Sequence, residues 1–110
     1  MLKGLGDLGK LGAVLKQAME MKQRIEDLRA QLAQETMEGS AGGGAVRVIV
    51  NGALEIQSLR IDPELCRSED QPLLEEMVAG AVNDAIRKMQ THIKDRMTEI
   101  AGIADIPGLV

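Results

Sequence analysis

Asn51-Gly52 sits between two apolar, β-rich runs, and no other pair of residues narrows the folds open to this chain as much. On one side Val46, Val48 and Val50 alternate with Arg47 and Ile49; on the other come Leu54, Ile56, Leu59 and Ile61. The pattern predicts an antiparallel β-hairpin closed by a type I′ turn, in which both central residues take positive φ. In the second strand the apolar phase slips across Gln57 and Ser58, so a bulge is expected there to return all four residues to one buried face. A two-stranded hairpin is marginal in water on its own, so other elements must cover it.

Both flanks read as helix. Upstream, Leu11, Val14, Ala18, Met21, Ile25, Leu28 and Leu32 fall at alternating spacings of three and four, a single narrow seam that needs another helix against it. Gly4, Gly6, Gly9 and Gly12 are poor helix formers, so residues 1–10 are expected to be a mobile tail. The helix is expected to run to about Glu38, before Gly39-Ser40-Ala41-Gly42-Gly43-Gly44, which reads as a loop or a loose edge strand. That glycine run follows a helix and precedes a strand, the wrong context for a phosphate loop. Asp62-Pro63 ends the second strand, and an acidic connection leads to Pro72, a good first residue for a helix. From there Leu74, Val78, Val82, Ile86, Met89, Ile93, Met97 and Ile100 lie on one broad face, widened by Met77, Ala81 and Ala85. Gly80 in that face points to close approach by a sheet or a partner helix. Gly102 and Pro107 close the helix near Ala101, with residues 102–110 expected to be a second mobile tail.

The fold class is therefore α+β in one domain over residues 1–110: a long helix, an antiparallel hairpin or small three-stranded sheet, and a second long helix. The core of a 110-residue chain is modest, and two narrow-seamed helices leave an apolar face open, so a homodimer is expected. There is no Phe, Tyr or Trp, and seven Met supply the gap-filling bulk instead, more simply as core than as an adaptable binding stripe.

Little here suggests chemistry. Cys66 is alone, so no intramolecular disulfide forms, and with no signal-peptide-like apolar run at the N-terminus a reducing cytoplasm is expected. No stretch approaches about 20 apolar residues, so no membrane span is expected. His92 has no second His or Cys at ligand spacing and reads as a solvated helix residue. Adjacent carboxylates such as Glu75 and Glu76 point about 100° apart on a helix and share no proton-transfer task. No catalytic residue, metal site, cofactor or small-molecule substrate is expected.

Charge is more informative. The net charge is −4, yet residues 1–24 carry +3 and residues 87–98 carry +3, against −8 over residues 25–86 and −2 over residues 99–110. In a helix–hairpin–helix chain the first helix runs toward the sheet and the second away from it, so the two basic blocks can meet as one tip. Two readings stand on charge alone: a phosphate-binding tip, or basic blocks that balance acidic neighbours in water.

The order of elements resembles the YbaB/EbfC family of bacterial nucleoid-associated proteins. The resemblance is carried by VRVIVNGALEIQSLRIDPEL at 46–65 and MVAGAVNDAIRKM at 77–89, and covers nearly the whole chain. It implies a dimer with a continuous central sheet and helices projecting like tweezers, which bind duplex DNA in the nucleoid. The family supplies no single contact motif, so the contacts are assigned from the basic blocks: Lys10, Lys16, Lys22 and Arg24 on the first helix, and Arg87, Lys88, Lys94 and Arg96 on the second. Arg47 and Arg60 are placed on the sheet, outside the contact surface. Asn83 and Asp84 read as residues that satisfy neighbouring backbone or dimer groups. The alternative is a non-catalytic dimeric adaptor whose helices bind another protein.

Overall fold

Val46, Val48 and Val50, fully buried on one face of a strand, are the centre of the molecule. A computed structural model describes the backbone of residues 2–104 and the side chains of residues 8–100. Its elements are α1 (Leu2–Gln34), β1 (Thr36–Ala41), β2 (Val46–Asn51), β3 (Ile56–Ile61) and α2 (Gln71–Ala104), with short 3-10 turns at Gly42–Gly44, Pro63–Leu65 and Ser68–Asp70. The sheet is antiparallel in the order β1-β2-β3. α2 lies across β1 and β2, and its Ala81, Ala85 and Met89 close over the three valines.

The bulge falls where the apolar phase slips. Ile49 pairs with Ser58 and Val50 with Ile56, so Gln57 is the extra residue and Ile56, Leu59 and Ile61 share the valine face. That face is not buried along β3, because α2 is displaced toward β1: Ile56 and Leu59 remain 53% and 47% exposed.

The turn differs from the I′ expectation. Neither Asn51 nor Gly52 has positive φ; Leu54 does, at 60°. Asn51 is buried, its side-chain oxygen accepts from the N–H groups of Ala53 and Glu55, and Leu54 N–H donates to the Asn51 carbonyl. This is a three-residue loop whose last position is left-handed, at a cost of about 1 kcal/mol for a side chain such as Leu. Gly52 serves a different end: its N–H donates to the Leu32 carbonyl at 3.0 Å, and a Cβ there would collide with the end of α1.

α1 also departs from expectation at both ends. Its backbone is helical from Leu2, through the glycines, and it stops at Gln34 instead of Glu38. Thr36 to Ala41 pair with β2 instead, because Gly39 lets α2 rest on this strand: a Cβ at Gly39 would overlap backbone atoms of Ala81 and Ala85. Gly80 plays no such part, since a Cβ there would meet only Ala41 at an ordinary 3.7 Å. Of the two expected tails, residues 105–110 lie outside the described residues.

The shape is a rod, 82 × 25 × 17 Å, with a radius of gyration of 22.2 Å against about 13 Å for a compact chain of this length. α1 and α2 run antiparallel and, among the described residues, meet around Leu28 and Leu32, where Arg24 and Leu28 share a hollow with Arg96 and Ile100 and Leu32 shares another with Ile93 and Met97. Upstream of that contact α1 continues past the end of α2 as an arm.

Candidate nucleic-acid interface

The seam of α1 is buried at Leu28 and Leu32, half-buried at Met21 and Ile25, and open at Leu11, Val14 and Ala18. Lys10 and Lys16 ride on this arm, and Lys22 and Arg24 stand at its base beside the end of α2, all exposed. At about 1.5 Å per residue the four span roughly 21 Å along the axis. On α2, Arg87, Lys88 and Lys94 are exposed and Arg96 is half-buried.

The basic residues are strung along the two helices instead of gathered at one tip. Arg24 and Arg96 do meet across a common hollow. Lys10 and Lys16 continue outward beyond Ala104, whereas Arg87 and Lys88 lie back beside β1, lining a hollow of about 380 Å³ with Met37 and His92. The cause is the short overlap of the two helices, which sequence periodicity alone does not reveal.

Two of the eight are committed to other work. Lys88 Nζ donates to the Glu38 carbonyl at 3.3 Å and sits 3.0 Å from Asp84 Oδ2, whose carboxylate also accepts from the Ser40 N–H at 3.1 Å. Glu38 O and Ser40 N are outward groups of β1, so this pair occupies the strand's free edge. The Ser40 N–H, and then Lys88, hold the Asp84 carboxyl below the usual range. That use of Asp84 on neighbouring backbone is the one its mid-helix position suggests.

Arg96 is the second. Its guanidinium donates to Glu35 at 2.7 Å and to Gln31 at 3.2 Å, and His92 Nε2 lies 2.9 Å from the other Glu35 oxygen. His92 is therefore not a solvated residue: it is half-buried and joins α2 to the junction of α1 with β1. The His92 hydrogen bond chiefly, with the charge and hydrogen bond of Arg96, lowers the Glu35 carboxyl. Sequence gave no signal for this latch, because Glu35 and His92 are 57 residues apart.

No ion pair or hydrogen bond engages the side chains of Lys10, Lys16, Lys22, Arg24, Arg87 or Lys94 among the described residues. Arg47 and Arg60 face each other across β2 and β3 on the side of the sheet away from α2, and Arg47 is drawn to the Gly44 carbonyl at 3.2 Å. No group of His, Cys, Asp and Glu among the described residues is arranged to hold a metal ion. No described helix is long and apolar enough to cross a membrane.

Known proteins share both sequence and shape. A nucleoid-associated protein of Pelotomaculum thermopropionicum is 41% identical over 101 residues, 92% of this chain and 96% of its own length. One from Caldanaerobacter subterraneus subsp. tengcongensis is 40% identical over 96 residues, covering 87% and 86%. The crystal structure of an uncharacterized protein from Helicobacter pylori matches with a TM-score of 0.69 and 26% identity, over 83% of this chain and 92% of that one. The profile of the YbaB/EbfC DNA-binding family matches residues 8–104, and with these relatives it establishes that the chain belongs to that family.

Proposed function

We propose that the protein is a nucleoid-associated protein that binds duplex DNA as a homodimer, through phosphate contacts along its two helices and with little sequence preference. One observation carries this reading: in a chain of net charge −4, six basic side chains stand exposed and unpaired by described residues on the two helices. Lys10, Lys16, Lys22 and Arg24 on α1, with Arg87 and Lys94 on α2, are the contacts. Lys88 and Arg96 add charge nearby while holding β1 and α1 in place. Phosphate contacts position a protein without reading bases. Single strands are disfavoured, since proteins that hold them stack bases on aromatic rings and this chain has no Phe, Tyr or Trp.

The second copy joins at β3. That strand's outer edge is unpaired in the three-stranded sheet, and its Ile56 and Leu59 are half-open beside α2. Adding β3 of a second copy extends the sheet and covers those residues, and it doubles the number of basic side chains.

Gel-shift titrations of duplex DNA at two salt concentrations test the proposal. Each phosphate contact contributes about −0.9 to the slope of log affinity against log salt. Lys16→Gln with Lys22→Gln should weaken binding to all sequences alike and flatten that slope, whereas Arg47→Gln with Arg60→Gln should leave it nearly unchanged. Loss of binding from the sheet pair alone would move the DNA surface to the sheet. Salt-independent retention of a protein partner, with no DNA bound at low salt, would favour the adaptor reading.

A further inference from the structure

One residue, Glu35, joins α1 to β1, and the long helix meets the sheet at this pivot. Its carboxylate is held at both oxygens by α2. Arg96 donates to Oε1 at 2.7 Å, and His92 Nε2 donates to Oε2 at 2.9 Å, since a carboxylate can only accept. The same guanidinium donates to Gln31 Oε1 at 3.2 Å, one turn back along α1. His92 and Arg96 are themselves one turn apart on α2, so two donors on one helix grip two acceptors at the end of the other. Two points on each side define an angle between the axes as well as a contact. The apolar packing at Leu28 and Leu32 lies next to the pivot and, being non-directional, fixes that angle less well.

We infer that Glu35 is a positioning residue for DNA binding: clamped by His92 and Arg96, it aims the arm of α1, and with it Lys10 and Lys16, at the duplex. The inference rests on the DNA reading above. Leverage gives a side chain so far from the arm this role. About 30 Å of helix separates Glu35 from Val14, so a swing of about 20° at the junction carries Val14 by about 10 Å, a full screening length at about 0.1 M salt. An arm free to swing is aimed at the duplex for only a fraction of the time, and apparent affinity falls by that fraction. Charge alone predicts the reverse. Glu35 is a carboxylate beside Arg96, and removing it makes the surface more positive, which favours phosphate.

Comparing Glu35→Gln with Glu26→Gln in the full chain separates the two. Both remove one carboxylate, and Glu26 is exposed on α1 with no hydrogen bond or ion pair of its side chain among the described residues. Glu26→Gln should leave duplex affinity equal or slightly tighter. Glu35→Gln should weaken it about tenfold, the loss expected when the arm is aimed about a tenth of the time, with helix content unchanged at neutral pH. The arm is also read without DNA, from the distance between spin labels at Val14→Cys and Gln90→Cys, both exposed positions, in a Cys66→Ser chain diluted into unlabelled protein. The intact clamp gives one narrow distance. Glu35→Gln should broaden it, and so should His92→Ala, which removes one of the two donors. A distance that neither variant broadens overturns the inference, as does Glu35→Gln binding duplex as tightly as Glu26→Gln. If the unsubstituted chain binds no duplex at low salt while Glu35→Gln still broadens the distance, the clamp stands as the device that aims the arm, and the DNA reading is what fails.

Discussion

The two edges of the sheet are finished differently. On β1, the outward Ser40 N–H and Glu38 carbonyl are taken by Asp84 and Lys88 of α2, so an incoming strand finds its partners already used. On β3 no helix side chain reaches the edge among the described residues, and Ile56 and Leu59 stay half-open. Proteins commonly blunt free edges with charge. Here one edge is blunted and the other left bare, which confines further strand pairing to β3. The asymmetry follows from where α2 rests, over β1 and β2.

Removing the close approach that places α2 there has the largest expected effect. Gly39→Ala puts a methyl into the Ala81 and Ala85 backbone, which cannot move without shifting the helix off the three buried valines. A loss of about 3 kcal/mol is expected in urea unfolding. It must be followed by helix circular dichroism, since the chain has no Trp or Tyr. Gly80→Ala, with ordinary space around it, should instead hold or slightly raise stability.

That contrast also shows what a sequence of this kind hides. The hairpin, its bulge at Gln57 and both helices follow from periodicity, which is a local property. β1 does not: Thr36-Met37-Glu38-Gly39-Ser40-Ala41 lacks β-branched alternation, and it becomes a strand because Asn51 and its neighbours on β2 pair with it and α2 lies over Gly39. The turn departs from type I′ because Asn51 and Gly52 have a different use, the first bonding its own loop and the second admitting the Leu32 carbonyl. The basic candidates could be named from charge counts, but which of them are engaged could not. Lys88 and Arg96 meet Glu38 and Glu35 only through tertiary contacts 50 and 61 residues apart.

The bare edge gives the second test. If β3 carries the dimer seam, Leu59→Asp buries a carboxylate between two copies and should raise the dimer dissociation constant at least about a hundredfold, near 3 kcal/mol. Sedimentation at low micromolar concentration reads this directly. The separated chain should keep its helix content, because Leu59 is outside the buried core. A dimer that survives Leu59→Asp would place the seam elsewhere and leave the difference between the edges without a role in assembly.

The sealed edge gives the third and smallest effect, through acid. The Asp84 carboxyl lies below its usual 3.8 because it accepts from Ser40 and faces Lys88, and Glu35 lies below its usual 4.5 because of His92 and Arg96. A carboxyl lowered by folding binds protons more readily when unfolded. Its stabilisation is therefore complete above the ordinary carboxylate range and is lost as pH falls through the lowered folded value. Asp84→Asn keeps an oxygen for the Ser40 N–H but gives Lys88 no charge, so it should flatten the acid limb of stability against pH and change little near neutrality. Glu35→Gln should act likewise at the α1 latch, independently of Asp84, since the two carboxylates bond different partners. The apolar surface at β3 has no comparable titration, so as pH falls below the ordinary carboxylate range the edges should diverge: the β1 seal weakens while, if β3 carries the dimer seam, contacts through Ile56 and Leu59 persist. If the unchanged chain and Asp84→Asn lose helix at the same pH, the seal contributes no measurable stability, and the edges differ only in the apolar surface they expose.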